Sequence, residues 1–280
     1  MALIFFAILF KHIHHLPCKF VFLKILQINT KEIYRRHTVC LKDIADIQNG
    51  VSTNCDSAYI FAFYTDKEMT MPYMGKHTDL SKTVYFRHPV TGQATEIESS
   101  ILRRCVKESK FIGKIDNIYI IYPYENGCQI SEDSLKKEYP KAYAYLLTIK
   151  NKLLERNMDK NVDWFLFARS QGIKNMDQKK VVFKHIIDKS SNNIISYILD
   201  DDIIVYSGLY ITMPTSVKNN VVSTSCASDS CRHLEKIKNI ISDSDFKRYC
   251  VLSGKDMSGG YVSVSSKIIK NYGIQKDSVK

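Results

Sequence analysis

Apolar runs of strand length recur along the chain, and turn residues separate them. Each run is rich in aromatic or β-branched side chains, which is typical of β-strands. The turn signals include Asn49-Gly50 and the segment from Pro89 to Gly92. The pattern predicts strands over residues 58–64, 83–88, 117–124, 164–168, 180–187, 193–199 and 203–213.

Apolar residues at helical spacing predict three further elements. The longest helix begins after Ser131, a good N-cap residue, and runs over 132–156. Because Pro140 lies inside this range, the helix is kinked or begins anew there. The other helices are predicted over 233–252 and 263–272. Since regular βαβ alternation is missing, we expect an α+β fold with mainly antiparallel sheet elements, a long helix and C-terminal helices.

The stretch from Trp164 to Gly172 is a predicted buried strand with a polar end. Five apolar residues are followed by Arg169, Ser170 and Gln171. A guanidinium, a hydroxyl and an amide are groups that bind phosphates and base edges of DNA. These residues alone do not decide between an edge that recognises DNA and an ordinary solvated strand end.

The charge of the chain indicates a polyanionic partner. The 280 residues include 40 Lys and Arg against 29 Asp and Glu, which gives a formal net charge of +11. Nucleic acid and an anionic membrane surface both fit this excess. Four basic residues close together are candidate phosphate contacts, although a solvated basic face is the alternative. They are Arg103, Arg104, Lys107 and Lys110.

Eight cysteines are spread over the chain without Cys-x-x-Cys pairs. A chain of this size and cysteine density predicts reduced thiols and a cytoplasmic location. Cys226, Cys231 and His233 form the nearest metal-like cluster, and residues 12–18 form a looser one. Neither has a convincing set of four ligands, so we expect no metal site.

Residues 1–38 form an atypical apolar and basic segment ahead of a predicted domain over 39–280. The run from Met1 to Phe10 lacks the charge pattern of a signal peptide, and basic residues then interrupt it before it reaches the length of a membrane span. A membrane-surface anchor over residues 1–28 stays open as an alternative, but we favour the remnant of a longer protein.

Common nucleotide-binding, protease and hydrolase motifs are absent from the sequence. Glu108-Ser109-Lys110 matches the acidic-x-Lys half of a metal-dependent nuclease site, and Glu96 and Glu98 are the nearest acidic partners. A degenerate restriction enzyme or nuclease fragment is therefore an alternative function.

Five blocks of sequence, taken in order, resemble the C-terminal target-recognition domain of TaqI-like adenine-N6 DNA methyltransferases of restriction–modification systems. Together the blocks cover about residues 39–274, and Asn54, Ala168 and Gln275 depart from the family pattern. The blocks are 41–61, 98–111, 119–124 with the long helix after it, 164–172, and Gly-Gly-Tyr at 259–261 with the closing basic helix.

This resemblance implies a cytoplasmic module that binds double-stranded DNA. In such a module the basic block would contact phosphates. The residues near the bases would be Ser52, Thr53, Arg169, Ser170 and Gln171. The family's S-adenosylmethionine loop and Asn-Pro-Pro-Tyr motif do not occur in the sequence. We therefore expect no catalysis by this chain alone, and S-adenosylmethionine only in a separate methyltransferase domain or subunit. A truncated gene product is a further alternative.

Overall fold

A computed structural model describes residues 39–62, 83–214 and 226–274. Over these ranges the protein has an α+β fold of several small, mostly antiparallel sheets, which confirms the predicted fold class. The strands are β1 (Val39–Cys40), β2 (Asp46–Asn49), β3 (Ile60–Ala62), β4 (Thr83–Arg87), β5 (Ala94–Glu98), β6 (Leu102–Lys107), β7 (Ile118–Ile121), β8 (Tyr124–Glu125), β9 (Cys128–Gln129), β10 (Lys180–Phe183), β11 (Ile186–Asp188), β12 (Ser196–Leu199), β13 (Ile204–Tyr206), β14 (Leu209–Thr212), β15 (Lys255–Asp256), β16 (Tyr261–Ser263) and β17 (Gly273–Ile274). The helices are α1 (Leu41–Ile44), α2 (Asp56–Tyr59), α3 (Glu132–Glu138), α4 (Pro140–Thr148), α5 (Lys150–Leu154), α6 (Cys226–Ser242), α7 (Ser244–Ser253) and α8 (Ser266–Lys270).

An antiparallel sheet in the order β12-β10-β14-β2 lies between two hydrophobic cores. Neighbouring residues of a strand point to opposite faces, so Val182 and Tyr210 enter one core while Val181 and Ile211 enter the other. All four residues of β10 are buried, as expected for a strand covered on both faces.

The first core also contains the sheet β13-β6-β7-β3 and the helices α3, α4 and α5. In this sheet β13 runs parallel to β6, with Ile204 opposite Cys105, while the other pairs are antiparallel. The second core is closed by α6, α7 and α8. The apolar residues Leu234, Ile237 and Ile241 of α6 are buried there at helical spacing. The structure therefore buries one core on each face of the shared sheet.

The long helix predicted over 132–156 is three helices. The Ser131 hydroxyl accepts a hydrogen bond from the Ser134 amide at 3.0 Å and caps α3, as expected. Of the two possibilities left by Pro140, the structure shows a new helix beginning there. The Glu98 carboxylate accepts the amides of Lys141 and Ala142 at 2.8 and 2.9 Å, so a distant side chain caps α4.

Several other predicted elements are shorter than their apolar runs. Residues 58–59 belong to helix α2, and β3 begins only at Ile60. The run 180–187 divides into β10 and β11, and 203–213 divides into β13 and β14. Ser207 and Gly208 break the latter with φ values of 62° and 85°, which strand residues do not adopt. The helix predicted over 233–252 is α6 followed by α7, with Asp243 capping α7.

The strand predicted over 164–168 is wrong. Trp164 to Ala168 are buried, but they form a turn outside any sheet of the described residues. Distant tyrosines bind its backbone: Tyr59 donates to the Phe165 carbonyl at 3.0 Å, and the Phe167 amide donates to the Tyr124 hydroxyl at 3.0 Å. Burial raises the pKa of both tyrosines. A buried strand and a buried turn can have the same apolar composition, so the apolar run alone does not show which of the two forms.

Residues 1–38 and Gln275 lie outside the described residues, and so do the loose cluster at 12–18 and the possible anchor over 1–28. Of the helices that the structure describes, none combines the length and apolar character needed to span a membrane.

Candidate nucleic-acid interface

Two segments far apart in sequence meet at the protein surface. The backbone of Ser52 pairs with that of Arg169, whose amide donates to the Ser52 carbonyl at 3.2 Å. The Asn49 amide group donates to Gln171 Oε1 at 3.4 Å. Ser170 and Gln171 are exposed beside this junction. The structure thus brings Ser52 together with the edge formed by Arg169, Ser170 and Gln171.

A glycine allows this close approach. Gly172 has φ +83°, and a Cβ placed on it would lie 1.9 Å from the Asn49 carbonyl oxygen. The Gly172 carbonyl also accepts a short hydrogen bond from the buried Tyr210 hydroxyl. The residue after Gln171 is therefore fixed from both sides, and only glycine fits there.

The loop that contains Ser52 is held by its own side chains. The Thr53 hydroxyl donates to Asp56 at 2.6 Å and accepts the Cys55 amide at 3.1 Å. Asn54 adopts φ 51° and donates to the Asn157 carbonyl at 2.8 Å. Thr53 is 1% exposed, so it shapes the loop instead of facing a ligand, whereas Ser52 remains partly accessible.

Arg156 joins this loop to the buried turn. Its guanidinium donates to the Thr53 carbonyl at 2.8 Å and to the Trp164 carbonyl at 2.6 Å, and it lies 5.3 Å from the centre of the Tyr59 ring. This role was not predicted from the sequence, because a basic residue at the end of a helical pattern is usually solvated.

Asp159 is a second residue that was not predicted from the sequence. Its carboxylate forms an ion pair with Arg169 at 2.9 Å and accepts the Ser170 amide at 3.0 Å. The Ser170 amide and then the Arg169 guanidinium hold the pKa of this carboxyl below its usual range. No sequence motif links residue 159 to residues 169 and 170; only the folded chain does.

An open depression of about 400 Å³ lies next to Ser52. Its lining includes Ser52, Asn54 and Asp56, together with Lys107 and Ser207. The Lys107 ammonium also lies 5.9 Å from the Tyr206 ring centre. One cation of the basic block is therefore adjacent to the Ser52 loop.

The four residues of the basic block do not form a single patch. Arg103 and Arg104 are neighbours in β6 and so point to opposite faces. Arg103 donates to the carbonyls of Ser100 and Leu102, and Arg104 forms an ion pair with Asp202 at 3.0 Å. Lys110 is exposed after the strand. Of the four, Lys107 is the one beside the Ser52 loop.

The residues proposed for a nuclease centre have structural roles. Glu108 is 2% exposed; it accepts the His185 amide and contacts His185 Nδ1 at 3.0 Å. Glu96 pairs with Lys141, and Glu98 caps α4. Each carboxylate thus has partners within the fold.

Of the cluster formed by Cys226, Cys231 and His233 in the sequence, the structure describes the side chains of Cys231 and His233, and that of Cys226 lies outside the described residues. His233 bonds through Nε2 to the Ile44 carbonyl at 2.8 Å, and Cys231 is exposed. In the part of the chain that the structure describes, no three His, Cys, Asp or Glu side chains are grouped as metal ligands.

Comparison with known proteins relates this fold to a restriction–modification enzyme. No protein-family model matches the sequence, and no curated protein matches it either. Among solved structures, the type IIL restriction–modification enzyme MmeI in complex with DNA has a similar fold, with a TM-score of 0.51 and 13% identity. The match covers 81% of this chain but only 24% of that chain. The fold is therefore shared with a part of that enzyme.

Proposed function

We propose that this protein is a target-recognition module that binds duplex DNA for an adenine-N6 methyltransferase of a restriction–modification system. The observation that carries the proposal is the meeting of the Ser52 loop with exposed Ser170 and Gln171, beside Lys107. A fold similar to part of MmeI, which was solved in complex with DNA, supports it. So does the sequence resemblance to TaqI-like target-recognition domains.

In this proposal Gln171 contacts a base edge and Lys107 contacts a phosphate. Gln171 is exposed, and a glutamine amide pairs with the N6 and N7 positions of adenine in the major groove. Lys107 and Ser52 line the same depression, and a phosphate of the DNA backbone would contact Lys107 there. The net charge of +11 supplies the long-range attraction to DNA.

The module would not transfer a methyl group by itself. Its sequence has neither the glycine-rich loop for S-adenosylmethionine nor the Asn-Pro-Pro-Tyr motif of the family. A separate methyltransferase domain or subunit would bind that cofactor and flip the target base. The reduced cysteines favour the cytoplasm, where such an enzyme meets DNA.

The proposal is tested by fluorescence anisotropy with a labelled duplex over a salt series. Each phosphate contact contributes a slope of about 0.9 in log K against log salt, so Lys107→Ala lowers the slope by about one unit. The matched control is Lys238→Ala, because Lys238 pairs only locally with Glu235 on α6. Absence of duplex binding, or binding insensitive to salt, would refute the proposal.

A second measurement separates base reading from phosphate contact. Loss of one bidentate base contact costs about 1–3 kcal/mol of discrimination. We expect Gln171→Ala to lose preference among duplex sequences while retaining most of its total affinity. Gln129→Ala, which alters an exposed glutamine on β9, serves as the control. Equal loss on every duplex would show that Gln171 does not read a base.

A further inference from the structure

Three hydrogen-bond donors of two consecutive residues converge on one carboxylate. Arg169 Nη1 donates to Asp159 Oδ1 at 2.9 Å. The Ser170 amide donates to Oδ2 at 3.0 Å, and the Ser170 hydroxyl reaches the same oxygen at 3.3 Å. The side chains of Arg169 and Asp159 are 31% and 36% exposed, so the arrangement is open to solvent.

A guanidinium, a backbone amide and a hydroxyl are also the donors that proteins use on DNA phosphates. The three donors here surround an anion with two acceptor oxygens. The Ser170 amide and then Arg169 lower the pKa of Asp159, so the arrangement favours a negative charge. A phosphate group offers the same charge sign and more acceptor oxygens.

The backbone holds the Ser170 amide and the start of the Arg169 side chain in place independently of the carboxylate. The Arg169 amide donates to the Ser52 carbonyl at 3.2 Å, and the Asp159 amide donates to the Ala168 carbonyl at 2.8 Å. Ala168 itself is fully buried. Removal of the Asp159 side chain would therefore leave the Ser170 amide in place and free the Arg169 guanidinium for another anion.

We propose that Arg169 and Ser170 form a binding site for one phosphate group, and that the Asp159 carboxylate occupies this site in the free protein. Resting on the proposed function, the inference assigns Arg169 and Ser170 to the DNA backbone and leaves base reading to Gln171. A phosphate must displace Asp159 to enter, so non-specific DNA binds less tightly than it would to an open site.

A second arginine–aspartate ion pair provides a matched comparison. Arg104 contacts Asp202 at 3.0 Å, almost the same distance as in the Arg169–Asp159 pair. The Arg104–Asp202 contact is to a single guanidinium nitrogen, whereas Asp159 also accepts the Ser170 amide and hydroxyl. Asp202→Ala thus frees an arginine without exposing a complete set of phosphate donors.

The first test measures the melting temperature of the intact chain with and without inorganic phosphate, with chloride at equal ionic strength as reference. We expect phosphate to raise the melting temperature of Asp159→Ala but not of the wild type or Asp202→Ala. The double variant Asp159→Ala with Arg169→Ala should lose the increase. If Asp159→Ala does not fold, Asp159→Asn, which keeps the size of the side chain, takes its place with the same expectation.

The second test measures affinity for a duplex of random sequence. Removal of one opposing charge should tighten binding by Asp159→Ala on the order of fivefold. If the wild type binds DNA but Asp159→Ala shows neither stabilisation by phosphate nor a gain in DNA affinity, the inference is overturned and the proposed function stands. An equal gain in Asp202→Ala would also overturn it, because general charge would then explain the effect. Phosphate stabilisation that depends on Arg169, in a protein that binds no DNA, would support the site and refute the proposed function.

Discussion

Substitution of Gly172 by alanine tests the close approach of the two segments that form the candidate interface. An alanine there meets two costs. The left-handed backbone at φ +83° is unfavourable for an L-residue by about 1–2 kcal/mol. The new methyl group also lies 1.9 Å from the Asn49 carbonyl oxygen, and relief of such overpacking costs about 1–3 kcal/mol. We therefore expect Gly172→Ala to lower the free energy of unfolding by roughly 2–5 kcal/mol.

Gly92 provides the control: it has φ +72°, and apart from its own and adjacent residues, no atom in the described part of the chain lies within 4 Å of the position that a Cβ would take there. Gly92→Ala should lose only the backbone contribution of about 1–2 kcal/mol. Urea denaturation of both variants, followed by circular dichroism, measures the difference. Equal stability of the two alanine variants would show that the Asn49 carbonyl does not pack against residue 172.

Two further predictions concern the scaffold. Glu98→Ala removes the carboxylate that caps α4, and it should lower the free energy of unfolding by about 1–2 kcal/mol in urea denaturation. Glu96→Ala, in the same strand, should lower it less. Equal losses in the two variants would contradict the capping role of Glu98. Burial raises the pKa of Tyr206 from 10.0 to about 12, so the folded state keeps this proton where the unfolded state loses it, and its stabilising contribution falls as pH rises from about 10 to 12. Urea midpoints across that range should fall less steeply for Tyr206→Phe than for the wild type, and identical slopes would rule out this contribution.

Local patterns in the sequence predicted the elements that neighbouring strands or caps stabilise. The alternation at 83–88 became β4, and Ser131 became the N-cap of α3. In these cases the side-chain period and the cap chemistry are properties of a few consecutive residues. The α+β class followed from the same signals.

The buried turn at Trp164 was beyond such reasoning, because its backbone is bound by side chains from distant positions. Tyr59 and Tyr124 reach it from 106 and 43 residues away. Composition gave the burial of the turn correctly but could not give its partners.

The candidate site was only partly predictable, because some of its contacts join residues that are distant in sequence. The polar types at Arg169 to Gln171 pointed to recognition, and the fold places them beside Ser52. The Thr53 hydroxyl bonds to Asp56 within its own loop, and its role near the bases stays a prediction. Asp159 could not be found, since an isolated acidic residue near a basic edge carries no signal of its own until the chain folds.

Selection from a duplex library with a randomised central segment tests the central claim most directly. The intact protein is mixed with the library, and bound duplexes are separated and sequenced, in parallel for the wild type and Gln171→Ala. We expect the wild type to enrich a short defined motif, and the variant to bind duplex but lose preference at one position of that motif. A wild-type protein that enriches no motif, or binds no duplex, would show that this protein is not a target-recognition module.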